Sequence, residues 1–309
     1  MTEQIQQNIQ VAAPNEIDLR ELLCAIWAGK WIILATTLVF SVVAVFYALS
    51  LPNIYKSEVT LAPAGESSGT NIPGQLGGLA ALAGVNLGGE GVEKTALALE
   101  ILNSREFLGR FIEENDLYVS IMATKGWDRA SDKLLIDAEI YNQETKQWLR
   151  EVEAPFKPKP SVQETIEEFD QFFAVSQDKE TSMVKISVQH YSPFLAKQLV
   201  DKLVVAINED MRQRELNEAE KSIEYLNKKI EQTNLSDLRA MLFSLIEEQT
   251  KVVMLANVRN EYVFKTVDPA VVAERKDKPA RALICILGFI LGGMLSVLLV
   301  MFRYFSNKR

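Results

Sequence analysis

Two stretches of the chain, Trp31 to Leu51 and Ala282 to Phe302, each run 21 residues without a charged side chain. At about 1.5 Å per residue, a helix of that length covers roughly 30 Å, the hydrocarbon thickness of a bilayer. Charged and aromatic residues flank both runs. Trp27, Trp31, Tyr304 and Phe305 are of the types that favour the lipid–water interface. The pattern predicts two transmembrane helices, 31–51 and 282–302. The first run is too long and starts too far along the chain for a signal peptide, so it reads as an uncleaved anchor.

Between the spans lie residues 52–281. Residues 57–62, SEVTLA, alternate as a strand does. Residues 93–114 carry Leu97, Ile101, Phe107, Leu108 and Phe111 at helical spacing. Residues 117–160 are mixed and end in EAPFKPKP, which reads as an insertion. A short helix is expected near 161–168, then strands at 171–177 and 183–190 joined by a polar turn. Ser192 and Pro193 supply an N-cap and a first-turn proline. Leu195, Leu199, Leu203 and Ile207 then recur every four residues, one apolar face for a sheet.

Beyond Ile207 the helix is charged all round, with Arg214–Glu218 and Glu224–Lys228 at i,i+4 spacing. Met211, Leu216, Ile223, Leu226 and Ile230 leave a narrow apolar seam. TNLSD interrupts, with Ser236 as the expected new cap, and Leu238, Leu242, Leu245, Val252 and Leu255 resume it over 237–258. The two pieces match as an antiparallel hairpin arm about 35 Å long. EYVFKTVDPA returns to strand. The order strand, helix, strand, strand, helix, strand is a ferredoxin-like α+β pattern whose second helix is drawn out into the arm. A polar arm with a thin seam is expected to pack against neighbouring copies, with Ile223, Leu226, Ile230, Leu238, Leu242 and Leu245 as its contacts.

The predicted organisation is a tail (1–30), the first span (31–51), an α/β base (52–192) holding a glycine-rich loop (65–91), a long helix and hairpin arm (193–258), a return strand and linker (259–281), the second span (282–302) and a tail (303–309). The loop holds nine of the chain's fifteen glycines but lacks the G-K-[ST] of a phosphate-binding loop. Its uncharged middle, with Leu76, Leu79, Leu82 and Leu87, is expected on the membrane surface or in a subunit interface. In the second span Gly288 and Gly292 form a small-x-x-x-small pair, with Gly293 expected to widen the same face for another helix. Arg275, Lys276, Lys278 and Arg281 form a basic juxtamembrane run suited to lipid head groups.

Charge and chemistry narrow the picture. A net charge of −8 gives nucleic acid no electrostatic purchase, so no nucleic-acid partner is expected. Cys24 and Cys285 lie beside or inside the spans, which leaves the large loop without a disulfide framework. The one histidine, His190, cannot build a zinc site by itself and reads as structural. No H-E-x-x-H or D-x-D motif is present, and no catalytic residue, metal or cofactor is expected. Two spans put both tails on one side. Lysine and arginine counts near the spans are balanced, and the short tails carry the rule better than a 230-residue loop. Both termini are therefore expected in the cytoplasm, with the central domain outside the inner membrane, in the periplasm.

Several segments carry a resemblance. IDLRELLCAIWAGKWII runs into the first span, LPNIYKSEVTLAPA leaves it, and QHYSPFLAKQLVDKLVVAIN opens the helical part. LIEEQTKVVMLANVRNEYVFKTVDPAVVAERKDKPARALICILGFILGGM enters the second span. The chain resembles the Wzz-type chain-length determinants, polysaccharide co-polymerases of the bacterial inner membrane. Ala273 departs from the family's usual proline and Ala280 from a frequent basic residue, which loosens the linker and removes one charge. The resemblance implies a non-enzymatic homo-oligomer that sets the modal length of O-antigen or a related glycan. Its implied partners are a Wzy-type polymerase, membrane lipids and an undecaprenyl-linked glycan, with Gly288, Gly292 and Gly293 as possible polymerase contacts. The rival expectation is an export-type co-polymerase serving a separate tyrosine kinase, since seven residues follow Phe302 and hold no Walker motif. Tails this short also argue against a two-span sensor with an output domain.

Overall fold

The structure, a computed structural model, describes residues 27, 29–64, 89–259 and 261–307. The leucines Leu76, Leu79, Leu82 and Leu87 and Cys24 lie outside the described residues. The chain divides into two units, the terminal segments through Leu51 and from Pro279, and a central unit, Pro52–Lys278.

In the first unit, α1 (Lys30–Ser50) pairs with α8 (Arg281–Asn307). The second helix begins and ends outside the expected 282–302, starting at Arg281 and running five residues past Phe302. Both helices are long and apolar enough to cross a membrane. A soluble core would hide their large side chains. Here Phe46 is 70% exposed and Phe302 78% exposed, which is what a surface meeting lipid requires.

The central unit is built on a four-stranded antiparallel sheet of β1 (Tyr55–Pro63), β6 (Phe173–Gln177), β7 (Val184–His190) and β8 (Phe264–Asp268), in the order β6-β7-β1-β8. First and third strands are central and second and fourth are edges, the ferredoxin-like arrangement that the element order predicted. β1 alternates as expected. Ser57, Val59 and Leu61 are buried. On the opposite face Glu58 pairs with Lys56 and with Lys185 of β7, and the Lys56 hydrogen bond holds its carboxyl below the usual range.

Helices α2 (Gly89–Leu102), α3 (Arg105–Glu114), α5 (Val162–Phe169) and α6 (Pro193–Glu231) carry the rest of the core. The single helix expected over 93–114 is two. Ser104 caps the second, its hydroxyl accepting the Phe107 N–H at 3.2 Å, and Leu97 of the first faces solvent. Phe107, Phe111, Phe169 and Phe173 form a chain of ring contacts from α3 through α5 to β6. α5 opens on a capping box between Ser161 and Glu164. The 117–160 segment holds α4 (Tyr118–Met122) and two small hairpins, β2 (Thr124–Asp128) with β3 (Lys133–Ile136), and β4 (Tyr141–Asn142) with β5 (Gln147–Trp148).

The arm is α6, an unbroken 39-residue helix, packed against α7 (Ser236–Val258). Ser192 caps α6 with Pro193 in its first turn, and Leu199, Leu203 and Ile207 are fully buried. Ser236 is not the cap of α7. Leu235 takes that position and makes no side-chain cap bond. Arg214 also differs from its expected pairing with Glu218. It bonds Asp210, one turn back, whose carboxylate also takes Arg110 of α3 and is far more sheltered from water.

Candidate functional surfaces

The root of the arm is fixed by Asn208, which the periodicity did not flag. It follows Ile207 on the apolar stripe and is buried. Its Oδ1 accepts three backbone N–H groups, from Tyr262, Val263 and Phe264, at 2.9, 2.8 and 3.0 Å. Its Nδ2 donates to the carbonyls of Val204 and Phe264, both at 3.1 Å. One side chain thus satisfies the segment that brings the chain from the arm back into β8. The only hint in the sequence is a polar residue where an apolar one is due.

His190 is likewise structural in its contacts. Nε2 donates to the Ser120 carbonyl at 3.1 Å, and Nδ1 accepts the N–H of Ser192, the cap of α6, at 3.1 Å. Only the neutral ring can do both. Burial pushes its pKa below the ordinary 6.5, against the opposing effect of the Ser120 bond. The folded state then resists a proton that the unfolded chain accepts, so stability is complete above about pH 6.5 and falls as acid is added below it. Thermal melts between pH 7.5 and 5 should show that loss. His190→Gln, which has no titration in this range, should flatten the slope.

In the first unit Gly288 and Gly292 face the other span. A methyl group on Gly288 would collide with Ala44 Cβ, and one on Gly292 would lie 2.6 Å from Phe40 Cβ. Gly293 does not widen this face, since nothing lies within 4 Å of its missing Cβ. Arg281 is not free for head groups in the way its place in the basic run suggested. Its guanidinium donates to the carbonyls of Ala48 at 3.0 Å and Leu51 at 3.3 Å, the carbonyls left open where α1 ends. In the central unit Lys278 donates to Gln189 at 2.9 Å, while Arg275 and Lys276 stand exposed.

The arm is lopsided. On α6, Leu216 and Ile230 are buried and Ile223 and Leu226 half-buried. On α7 only Ala256 is buried, and the half-buried residues are Leu242, Ile246, Gln249, Val252 and Val253. Leu238 and Leu245, expected in the seam, are exposed, as are Met241 and Leu255. Leu238, Met241, Leu245 and Leu255 are exposed and half-buried Val252 falls in step with them, at spacings of 3, 4, 7 and 3, a heptad stripe that is sheltered only at Val252.

An open cleft of about 440 Å³ between α3 and α6 is lined by Glu106, Arg110, Glu114, Glu209, Asp210 and Arg214. Its charges are largely spent on holding the two helices together, through Asp210 with Arg110 and Arg214. Among the described residues, no three His, Cys, Asp or Glu side chains are grouped to hold a metal ion.

Two candidate spans, a ferredoxin-like domain and a long helical arm with an apolar outer stripe make up the described residues. Comparison with known proteins adds two partial matches. Residues 15–115 match the family model described as chain length determinant protein, Wzz, and residues 240–305 match the G-rich domain on putative tyrosine kinase. These two partial matches support a likeness to the Wzz-type polysaccharide co-polymerases, a regulatory and generally non-catalytic family known to oligomerise. Tyrosine-protein kinase wzc of Salmonella typhi is 24% identical over 135 residues, which are 42% of this chain and 18% of that kinase. The chain thus spans under a fifth of that relative's length. A solved structure described as a full-length bacterial polysaccharide co-polymerase aligns over 94% of this chain and 99% of its own, at 14% identity and a TM-score of 0.39.

Proposed function

We propose that this chain is a non-catalytic, homo-oligomeric scaffold of the bacterial inner membrane, with both termini cytoplasmic and the central domain periplasmic. It regulates the modal length of O-antigen or a related surface polysaccharide made by a Wzy-type polymerase on an undecaprenyl-linked carrier. The observation that carries the oligomer is the largely uncovered stripe on α7. Exposed leucine and methionine at heptad spacing gain most by meeting the same stripe, or the α6 flank, of another copy. Arm geometry and copy number then govern how long the growing glycan stays with the polymerase. Met241→Glu with Leu245→Glu should shift the detergent-solubilised protein to smaller species in sedimentation. In cells it should replace the clustered glycan ladder by a broad one. An unchanged sedimentation profile would remove α7 from the assembly.

The matched kinase relative and the G-rich domain favour a second reading, in which the chain serves capsule or exopolysaccharide export alongside a separate tyrosine kinase. Deleting the gene separates the two. Loss of modal clustering in lipopolysaccharide supports the first, and loss of secreted polymer with an intact lipopolysaccharide ladder supports the second.

A further inference from the structure

The central unit gathers three aromatic side chains from distant parts of the sequence at one end of its sheet. Tyr55 opens β1 and is paired with His190 at the end of β7. Phe194, two residues beyond the Ser192 cap, opens α6 and is 50% exposed. Trp127 of β2 stands between them, its ring centroid 5.7 Å from Tyr55 and 6.1 Å from Phe194. Tyr55 and Trp127 are half-buried and Phe194 is exposed, so the group presents part of its ring surface to the outside.

Covalent geometry names what meets that surface. Ile54, beside Tyr55, is bridged to Lys278, with the Ile54 N–H donating to the Lys278 carbonyl at 3.0 Å. The first span ends at Ser50 and the second starts at Arg281. Both connections to the membrane therefore leave from this one bridge. Four residues of chain separate Tyr55 from Ser50, and two separate Lys278 from Arg281. Tryptophan and tyrosine are the side chains that settle at head-group level, with an apolar ring body and a polar edge. The polar edge of Trp127 is already satisfied, its Nε1 donating to Asp132 at 2.9 Å.

Charge agrees. Lys125, 59% exposed, and Arg129 stand on the same hairpin. Its carboxylates are turned to their own turn. Asp128 accepts the Ser131 hydroxyl and the Ala130 N–H, and Asp137 sits 3.7 Å from Lys125.

We propose that Tyr55, Trp127 and Phe194 form an aromatic foot that rests in the head-group layer of the bilayer and fixes the orientation of the α/β domain. This rests on the two spans crossing lipid and not on any role in chain length. The test uses the full chain in vesicles of phosphatidylethanolamine and phosphatidylglycerol. Trp27→Phe, Trp31→Phe and Trp148→Phe leave Trp127 as the sole tryptophan. Lipid carrying a nitroxide on its head group should quench its fluorescence at least about twofold, while aqueous acrylamide quenches it far less than in the detergent-solubilised protein. Free acrylamide quenching in vesicles without nitroxide quenching would overturn the proposal. Protection from acrylamide already in detergent, again without nitroxide quenching, would mean another copy covers the foot and would overturn it too. A companion variant keeping only Trp31 reports insertion. If Trp31 also escapes lipid quenching, the spans fail and the foot with them.

Discussion

Asn208→Leu should lower the thermal midpoint of the full-length protein in detergent by roughly 6–12 °C. The substitution keeps the approximate shape of the side chain and removes its oxygen and nitrogen. Three backbone N–H groups, of Tyr262, Val263 and Phe264, then lose their acceptor, two of them in buried surroundings. A buried donor left unpaired costs about 1–3 kcal/mol, so the two buried donors together with the half-buried one cost on the order of 3 kcal/mol. For a unit of this size each kcal/mol is worth about 2–4 °C. Asn208→Asp distinguishes the roles of the two ends of the amide. The carboxylate can still accept, but it faces the carbonyls of Val204 and Phe264 without a proton to give. It should therefore also destabilise. Asn257→Leu, at an exposed position on α7 where the amide bonds only its own helix, should leave the midpoint within about 2 °C. Circular dichroism melts decide the matter. Equal midpoints for the parent and Asn208→Leu would show that the arm is held to the sheet by something else.

Gly288→Leu combined with Gly292→Leu should separate the two spans. In lipid there is little hydrophobic drive between helices, so pairing depends on close contact. Here the contact is Gly288 on Ala44 and Gly292 on Phe40 and Thr37. Each leucine forces an overlap worth about 1–3 kcal/mol, enough to split a pair held by packing alone. A cysteine pair at Gly29 and Val300, which face each other away from the substitutions, reports pairing when Cys24 and Cys285 are replaced by serine. Cross-linking should be near complete in the parent and at least about fivefold lower in the double variant. Gly293→Leu should leave it unchanged, because its missing side chain points into open space. If this span pair also supports assembly or polymerase contact, the glycan ladder broadens in the double variant alone. Loss of cross-linking in the Gly293→Leu variant would mean that the pairing face has been misassigned.

How much of this was legible before folding depends on how local the signal is. Apolar runs of 21 residues, the alternation in β1 and the four-residue recurrence from Leu195 to Ile207 are written within a turn or two of the chain. They determined the spans, the strands, the arm helix and the ferredoxin-like order. Composition excluded a disulfide framework and a zinc site for the same reason, since ligands must first be present. What periodicity could not give was which partner a side chain meets. Arg281 reads as one more basic residue in a run, until the end of α1 presents its open carbonyls. Gly293 reads as part of a three-glycine face, until a 100° step along the helix turns it away from Ala44 and Phe40. Leu238 and Leu245 share the spacing of Leu242, yet α6 is too narrow to cover all three. Asn208 meets a backbone segment more than fifty residues on, and Trp127 meets Tyr55 and Phe194 from either side in sequence. Element type is decided largely by neighbours along the chain, and the sequence alone determined it for the spans, the sheet strands and the arm, while the helix and two hairpins within 117–160 showed only in the structure. Satisfaction of buried polar groups and the facing of surfaces depend on residues far apart in sequence, so only the tertiary structure decided them.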